Sequence, residues 1–272
     1  MNSSTLYIVI GIAVAALVGW LLWGNRAPGT THMHLSHEAL PQPFEGFRIA
    51  HITDFHNTTF GKDHCKLLSL LREEAPNIIA ITGDMLDARR TDIPQAVSFA
   101  KEAVKIAPCY YVLGNHEARI PDYPLFEAEL RKLGVHVLRN ETAPLERKGT
   151  TLTIIGLDDP TATAHFEETL VALQQSAQGF TLLLTHRPER FPTYCNAGVH
   201  LALCGHAHGG QVRIPFIGGV IAPHQGFFPK YDSGMYTQGH THMILSRGLG
   251  NSLFPLRVNN RPELIVVTLS CK

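Results

Sequence analysis

Five hydrophobic runs, each ending in a small polar cluster, constrain this chain more than any other feature it has. Phe47 to Thr53 runs into Asp54-Phe55-His56, Ile78 to Thr82 into Gly83-Asp84, and Tyr110 to Leu113 into Gly114-Asn115-His116-Glu117. Phe180 to Thr185 then runs into His186, and Val199 to Cys204 into Gly205-His206-Ala207-His208. Short apolar runs bounded by turn residues read as buried strands. In open α/β sheets the residues just past the strand ends gather along one edge, where ligands bind. Side chains at i and i+2 of an extended segment point the same way, so His206 and His208 can converge on one small volume. Imidazole and carboxylate oxygen are both common metal ligands. Two carboxylates, one asparagine and four histidines exceed the needs of one tetrahedral ion. The set suits two ions about 3.5–4 Å apart that share a carboxylate.

Between these runs the pattern is helical. Asp63 can cap a helix from His64 to Glu74, a second helix is expected from Pro94 to Ile106, and a third from Asp122 or Tyr123 to Leu133, closed by Gly134. Strand and helix in alternation read as βαβ units. From Val135 to Leu157 the pattern shifts to short strands, a helix from Thr163 to Gln175 precedes the His186 strand, and the last third is strand and turn, ending at Leu269. An α/β fold of two facing sheets with helices outside accommodates this order. Val212 to Lys230 is dense in Gly and Pro and reads either as hairpins completing a sheet or as an apolar lip beside the site.

The ordered set Asp54-x-His56, Gly83-Asp84, Gly114-Asn115-His116-Glu117, His186 and Gly205-His206-x-His208 resembles the calcineurin-like metallophosphoesterase superfamily, over about Phe47 to Leu269. Gly209-Gly210-Gln211 and Ser246-Arg247-Gly248-Leu249-Gly250 resemble a bacterial membrane-associated branch of phosphodiesterases and UDP-2,3-diacylglucosamine pyrophosphohydrolases. The resemblance implies a four-layer α/β/β/α sandwich. It also implies two divalent ions, with Mn, Fe, Zn and Mg all open. One would be held by Asp54, His56, Asp84 and His208, the other by Asp84, Asn115, His186 and His206, with Asp84 bridging. It implies hydrolysis of phosphoester or diphosphate bonds by a metal-bridging hydroxide. His116 would then serve as the catalytic residue at the phosphoryl group and leaving oxygen, with Glu117 behind it to orient it. Arg187 is a weaker candidate for meeting a substrate phosphate, and a solvated or helix-opening arginine is the simpler reading. Two other functions stay open: a general phosphodiesterase or phosphomonoesterase acting on soluble substrates, and a non-catalytic membrane scaffold with a structural metal site.

Leu6 to Trp23 carries no charge and is almost wholly apolar, with Trp20 and Trp23 at its end. At helical rise these residues span roughly 27 Å, enough for a bilayer core. The expected organisation is a transmembrane anchor over residues 1–25, a linker with a short strand near Met33–Leu35 over 26–43, and a phosphoesterase domain over 44–272. Arg26 follows the span and no basic residue precedes it, which places the domain in the cytoplasm by the positive-inside tendency. A phosphoester substrate, lipid-linked in the branch reading, would suit such an anchor. Lys and Arg equal Asp and Glu at 23 each, so no nucleic-acid partner is expected. Five cysteines without CxxC spacing indicate neither a disulfide framework nor a thiolate metal site.

Overall fold

The computed structural model describes residues 2–252 and 254–272. Its helices are α1 (Ser3–Arg26), α2 (Cys65–Glu74), α3 (Ile93–Ala103), α4 (Tyr123–Lys132), α5 (Phe166–Ser176) and α6 (Phe191–Ala197). The strands of the first half are β1 (Gly29–His37), β2 (Arg48–Ile52), β3 (Ile78–Thr82), β4 (Cys109–Val112), β5 (His136–Val137), β6 (Glu141–Arg147) and β7 (Thr150–Gly156). Next come β8 (Thr181–Leu184), β9 (Leu201–Cys204), the short hairpins β10 (Arg213–Ile214) with β11 (Gly218–Gly219) and β12 (Ile221–Ala222) with β13 (Gly226–Phe227), then β14 (Gly234–Gln238), β15 (Thr241–Leu245) and β16 (Glu263–Cys271).

Two six-stranded sheets result, ordered β1-β16-β2-β3-β4-β5 and β14-β15-β9-β8-β7-β6. Strands β2 to β5 run parallel, as do β7, β8, β9 and β15. Strand residues alternate between two cores, as the period of two requires. In β3, Ile78 and Ala80 pack between the sheets against Leu182 and Leu203, while Ile79 and Ile81 face Leu67, Leu71, Phe99 and Phe126 of the helices. On the far side Leu183 and Ala202 meet Phe166, Leu170 and Tyr194 of α5 and α6. The layers are therefore α/β/β/α, the architecture expected. Because the parallel strands of both sheets end near one another, their C-terminal loops share one edge.

Two local expectations change. The strand expected near Met33–Leu35 is nine residues long, from Gly29 to His37, and pairs in parallel with β16 along its whole length. Its Thr and His residues conceal it, because an edge strand buries one face only, here Leu35 and His37. Asp63 does not cap α2; it has φ of 50°, and no side chain caps that helix. The cap chemistry expected there occurs at α3, where the Asp92 carboxylate accepts from Gln95 N at 3.0 Å.

Helix α1 has no buried residue, and among the described residues it is the one helix long and apolar enough to cross a membrane. It fits a single membrane crossing. Its last turn is joined to the domain, not free of it. Asn25 Oδ1 accepts from Arg257 N at 2.7 Å and from Asn251 Nδ2 at 3.3 Å, and Asn25 Nδ2 donates to Arg257 O at 2.9 Å.

Candidate metal centre

The loops leaving β2, β3, β4, β8 and β9 bring Asp54, His56, Asp84, Asn115, His116, His186, His206 and His208 to one buried site. Asp54, His56, Asp84, His206 and His208 all have φ between 46° and 70°, a region L-residues rarely adopt. Such backbone costs on the order of 1–3 kcal/mol per residue and collects at functional sites. The neighbouring glycines permit the loops to close on each other. A methyl at Gly205 would lie 2.0 Å from Thr53 Oγ1 and 2.6 Å from Asp54 Oδ2, and one at Gly114 would lie 2.2 Å from Asp84 Oδ1. Backbone amides then fix the carboxylates: His206 N donates to both Asp54 oxygens at 3.2 and 3.0 Å, and His116 N to Asp84 Oδ1 at 2.8 Å.

Two donor groups share this volume. His208 Nε2 lies 3.3 Å from His56 Nε2 and 3.5 Å from Asp54 Oδ1. His186 Nε2 lies 3.1 Å from Asp84 Oδ2 and 3.2 Å from His206 Nδ1. Asp84 stands between them, since its Oδ2 is also 3.7 Å from His56 Nε2. Donor atoms on one metal with bonds near 2.1 Å are separated by roughly 3.0–3.4 Å, so these spacings are those of a coordination shell. Among the described residues the buried Asn115 Oδ1 has no hydrogen-bond partner, as fits an amide oxygen that would ligate an ion. The donor set therefore fits divalent metal ions.

Three of the four imidazoles agree with that fit, and on His186 a metal ion would have to take the place of a proton. Burial lowers His56 and His208 to about 3 and His206 well below the ordinary imidazole value, so these rings are neutral and keep a lone pair. Burial acts the same way on His186, but Asp84 and then Asp54 outweigh it and push that ring up to about 10. Burial raises the Asp84 carboxyl, yet His186 beside it holds it well below the usual carboxylate range. His186 Nδ1 donates to Thr82 O at 2.7 Å, which turns Nε2 toward Asp84.

His116 sits at the rim. Its Nδ1 accepts from Ala88 N at 3.0 Å, which leaves the proton on Nε2, 3.2 Å from Ser252 Oγ. Glu117 does not orient it. The Glu117 carboxylate turns inward and accepts from the amides of Asp84 at 2.9 Å, Leu86 at 2.9 Å and Gly114 at 3.1 Å. It ties the β3 and β4 loops together, and burial, then the Asp84 charge, push it up to about 8. Arg187 is not solvated but buried against Asp159, with Nη1 3.1 Å from His206 Nε2 and 2.7 Å from His224 Nδ1. His51 and His200 bond Thr82 and Thr181, as structural histidines would.

Three neighbours of the site escape a reading from sequence. His224 Nδ1 lies 2.9 Å from His206 Nε2, and Arg187 Nη1 is the donor placed against both nitrogens. Asp159 holds Arg187 in place. Arg257, fully buried, reaches within 3.4 Å of His208 Nδ1. Asp159 does follow β7 in a polar pair, Asp158-Asp159, the signal that could have found it; His224 and Arg257 lie in the irregular last third, where no periodicity marks a residue as inward.

The sequence model of the calcineurin-like phosphoesterase family matches residues 47–210, the segment that holds all these candidate ligands. The chain is 33% identical over 249 residues to the uncharacterized metallophosphoesterase YkuE of Bacillus subtilis, covering 88% of this chain and 85% of that one. It is 27% identical over 233 residues to the phosphodiesterase YaeI of Escherichia coli, with 82% of each covered. The solved structure of TT1561 of Thermus thermophilus aligns with a TM-score of 0.52 at 12% identity, over 75% of this chain and 90% of that one, and shares the fold. Fold and site together are those of a phosphoesterase. The chain belongs to the calcineurin-like phosphoesterase family.

Proposed function

We propose that the chain is a membrane-anchored hydrolase of phosphoester or diphosphate bonds that works with two divalent ions. The observation that carries this reading is the pair of donor groups meeting at Asp84. Asp54, His56, Asp84 and His208 would hold one ion, and Asp84, Asn115, His186 and His206 the other. Bound ions of this kind supply Lewis acidity to phosphoryl oxygens and an acidified water at neutral pH. The protein's part is to fix donor positions through strained loops, the Glu117 amide ties and the Arg187–Asp159 pair. His116 stands at the rim where its imidazolium form would give the Nε2 proton to a leaving oxygen and return to the neutral ring; that form carries a second proton on Nδ1 in place of the hydrogen bond from Ala88 N.

Support for a lipid-linked substrate comes from what surrounds the rim. Among the described residues eleven large apolar side chains outside α1 are exposed; six fall between Ile214 and Phe228 and two are Phe254 and Leu256. Both stretches adjoin the site, through His224 and Ser252 respectively, and the second touches Asn25 at the end of α1 through Asn251 and Arg257. Apolar groups concentrated at a site mouth mark contact with an apolar partner. Arg26 at the end of α1 favours a cytoplasmic domain.

The test is a hydrolysis panel on metal-reconstituted chain with UDP-diacylglucosamine, bis-p-nitrophenyl phosphate and p-nitrophenyl phosphate, run with and without a chelator. The expected result is chelator-sensitive turnover, fastest on the lipid-linked diphosphate. Turnover that is fastest on the soluble esters would replace the lipid reading with a general phosphoesterase, and no turnover with metals bound would leave a scaffold.

His116→Ala is expected to keep its metal content while kcat falls by roughly 10²–10⁴-fold, the usual worth of a positioned acid. The loss should shrink for p-nitrophenolate, a leaving group that needs little protonation. Equal losses for good and poor leaving groups would assign His116 to charge stabilisation, and loss of an ion would make it a ligand.

A further inference from the structure

We infer that the junction between α1 and the first sheet binds the phosphate of a bilayer lipid, at a site separate from the metal centre. A cavity of about 370 Å³ lies there, lined among others by Trp20 and Trp23 of α1, Thr30 of β1, and Arg247, Arg257 and Arg261. Three guanidiniums line it, and among the described residues the one carboxylate that pairs with any of them is Glu263, on Arg247. Arg257 is spent inside the protein, donating to Asn251 Oδ1, Arg247 O and Gly250 O. The other two are not. Arg247 gives Nε and Nη2 to Glu263, and Arg261 gives Nε and Nη2 to the carbonyls of Ala27 and Pro28. Each keeps Nη1 without a partner among the described residues, and the buried Thr30 hydroxyl has no partner either. Two guanidinium N–H groups and a hydroxyl, in a net positive cavity, are the donors that suit a phosphate.

The walls select the source of that phosphate. Arg261 lies over the Trp23 ring at 4.4 Å, so the positive charge is held at the level of the tryptophans. Tryptophans at the end of an apolar span sit among lipid headgroups. No side chain of α1 is buried, so with α1 across a bilayer acyl chains cover its sides and bring their own phosphates to this height. A free phosphate would gain nothing from the indole wall.

The inference rests on the anchor reading and not on hydrolysis, and the experiment separates the two. Full-length chain in detergent micelles is melted with phosphatidylglycerol, with diacylglycerol or with inorganic phosphate. Phosphatidylglycerol is expected to raise Tm, and the other two are not. Arg261→Gln and the isosteric Thr30→Val should each weaken the lipid's apparent affinity by about tenfold, the effect of losing one good charged or polar contact. Metal content and turnover of a soluble chromogenic ester should stay at the parent's level in both variants. An equal rise with inorganic phosphate, or undiminished affinity in both variants, would overturn the site. Carbonate extraction of membranes checks the anchor itself: a released chain defeats anchor and site together. A retained chain whose melting ignores phosphatidylglycerol defeats the site alone.

Discussion

Asp84→Asn is expected to remove metal and activity together. The Asp84 carboxylate is buried and fully engaged, with Oδ1 receiving His116 N at 2.8 Å and Oδ2 facing His186 Nε2 at 3.1 Å. Asparagine keeps the volume but replaces one oxygen with an NH₂ group that points donors at imidazole lone pairs. It also removes the negative charge that would offset the two proposed cations. The bridging role needs two oxygens, and an amide has one. A fall in kcat/KM of at least about 10³-fold, or about 4 kcal/mol of barrier, is expected. Elemental analysis should find fewer ions per chain than in the parent. Full activity, or a firmly measured stoichiometry of one ion in the parent, would sink the dinuclear reading. The variant should still fold, since Gly205 and Gly114 keep the loops apposed without it, and circular dichroism checks that.

The second large effect concerns β1. A chain beginning at Ala27 is expected to fold, bind metal and hydrolyse a small chromogenic diester, because α1 buries none of its side chains in the domain. A chain beginning at Glu38 is expected not to fold. It would lose the nine-residue ladder from Gly29↔Glu263 to His37↔Cys271 and the buried Leu35. The side chain alone is worth about 1.5–3 kcal/mol. The lost ladder leaves the apolar β16 as a naked edge, an aggregation hazard. Against a total stability of about 5–15 kcal/mol, losses of this kind are decisive. Size-exclusion and thermal melting of both chains decide it. A Glu38 chain that melts cooperatively near the parent's temperature would make β1 a detachable strap, and a chain begun inside β1, near His32, should fall between the two.

The candidate metal ligands were legible because each sits where an apolar run stops, and the order of runs already described two facing sheets. What stayed hidden has physical causes. β1 reads Gly29-Thr30-Thr31-His32-Met33-His34-Leu35-Ser36-His37, and an edge strand needs no apolar alternation. Helix α6 is too short for a period to show and opens on Phe191-Pro192. Glu117 follows His116 in sequence, which suggests partnership, yet the turn after β4 sends its carboxylate inward to three amides. Arg187 and Arg257 are buried arginines, and nothing local distinguishes them from solvated ones. Their partners, Asp159 and the carbonyls of the 247–250 loop, are remote in sequence or lie in irregular chain.

Only Ala27 and Pro28 separate the end of α1 from the start of β1. Fully extended, two residues reach about 7 Å, less than the depth of a headgroup layer. A catalytic domain on a long leash would sweep a hemisphere above the membrane and meet targets at any altitude. This one has no leash. With α1 across a bilayer its mouth is held at one altitude, and its search becomes lateral drift in a plane. For a lipid-linked target, as proposed above, the length of the tails is then of little account. What matters is how far its phosphorus stands above the glycerol level, so molecules with equal tails and different headgroup stature are sorted by height before any chemistry begins.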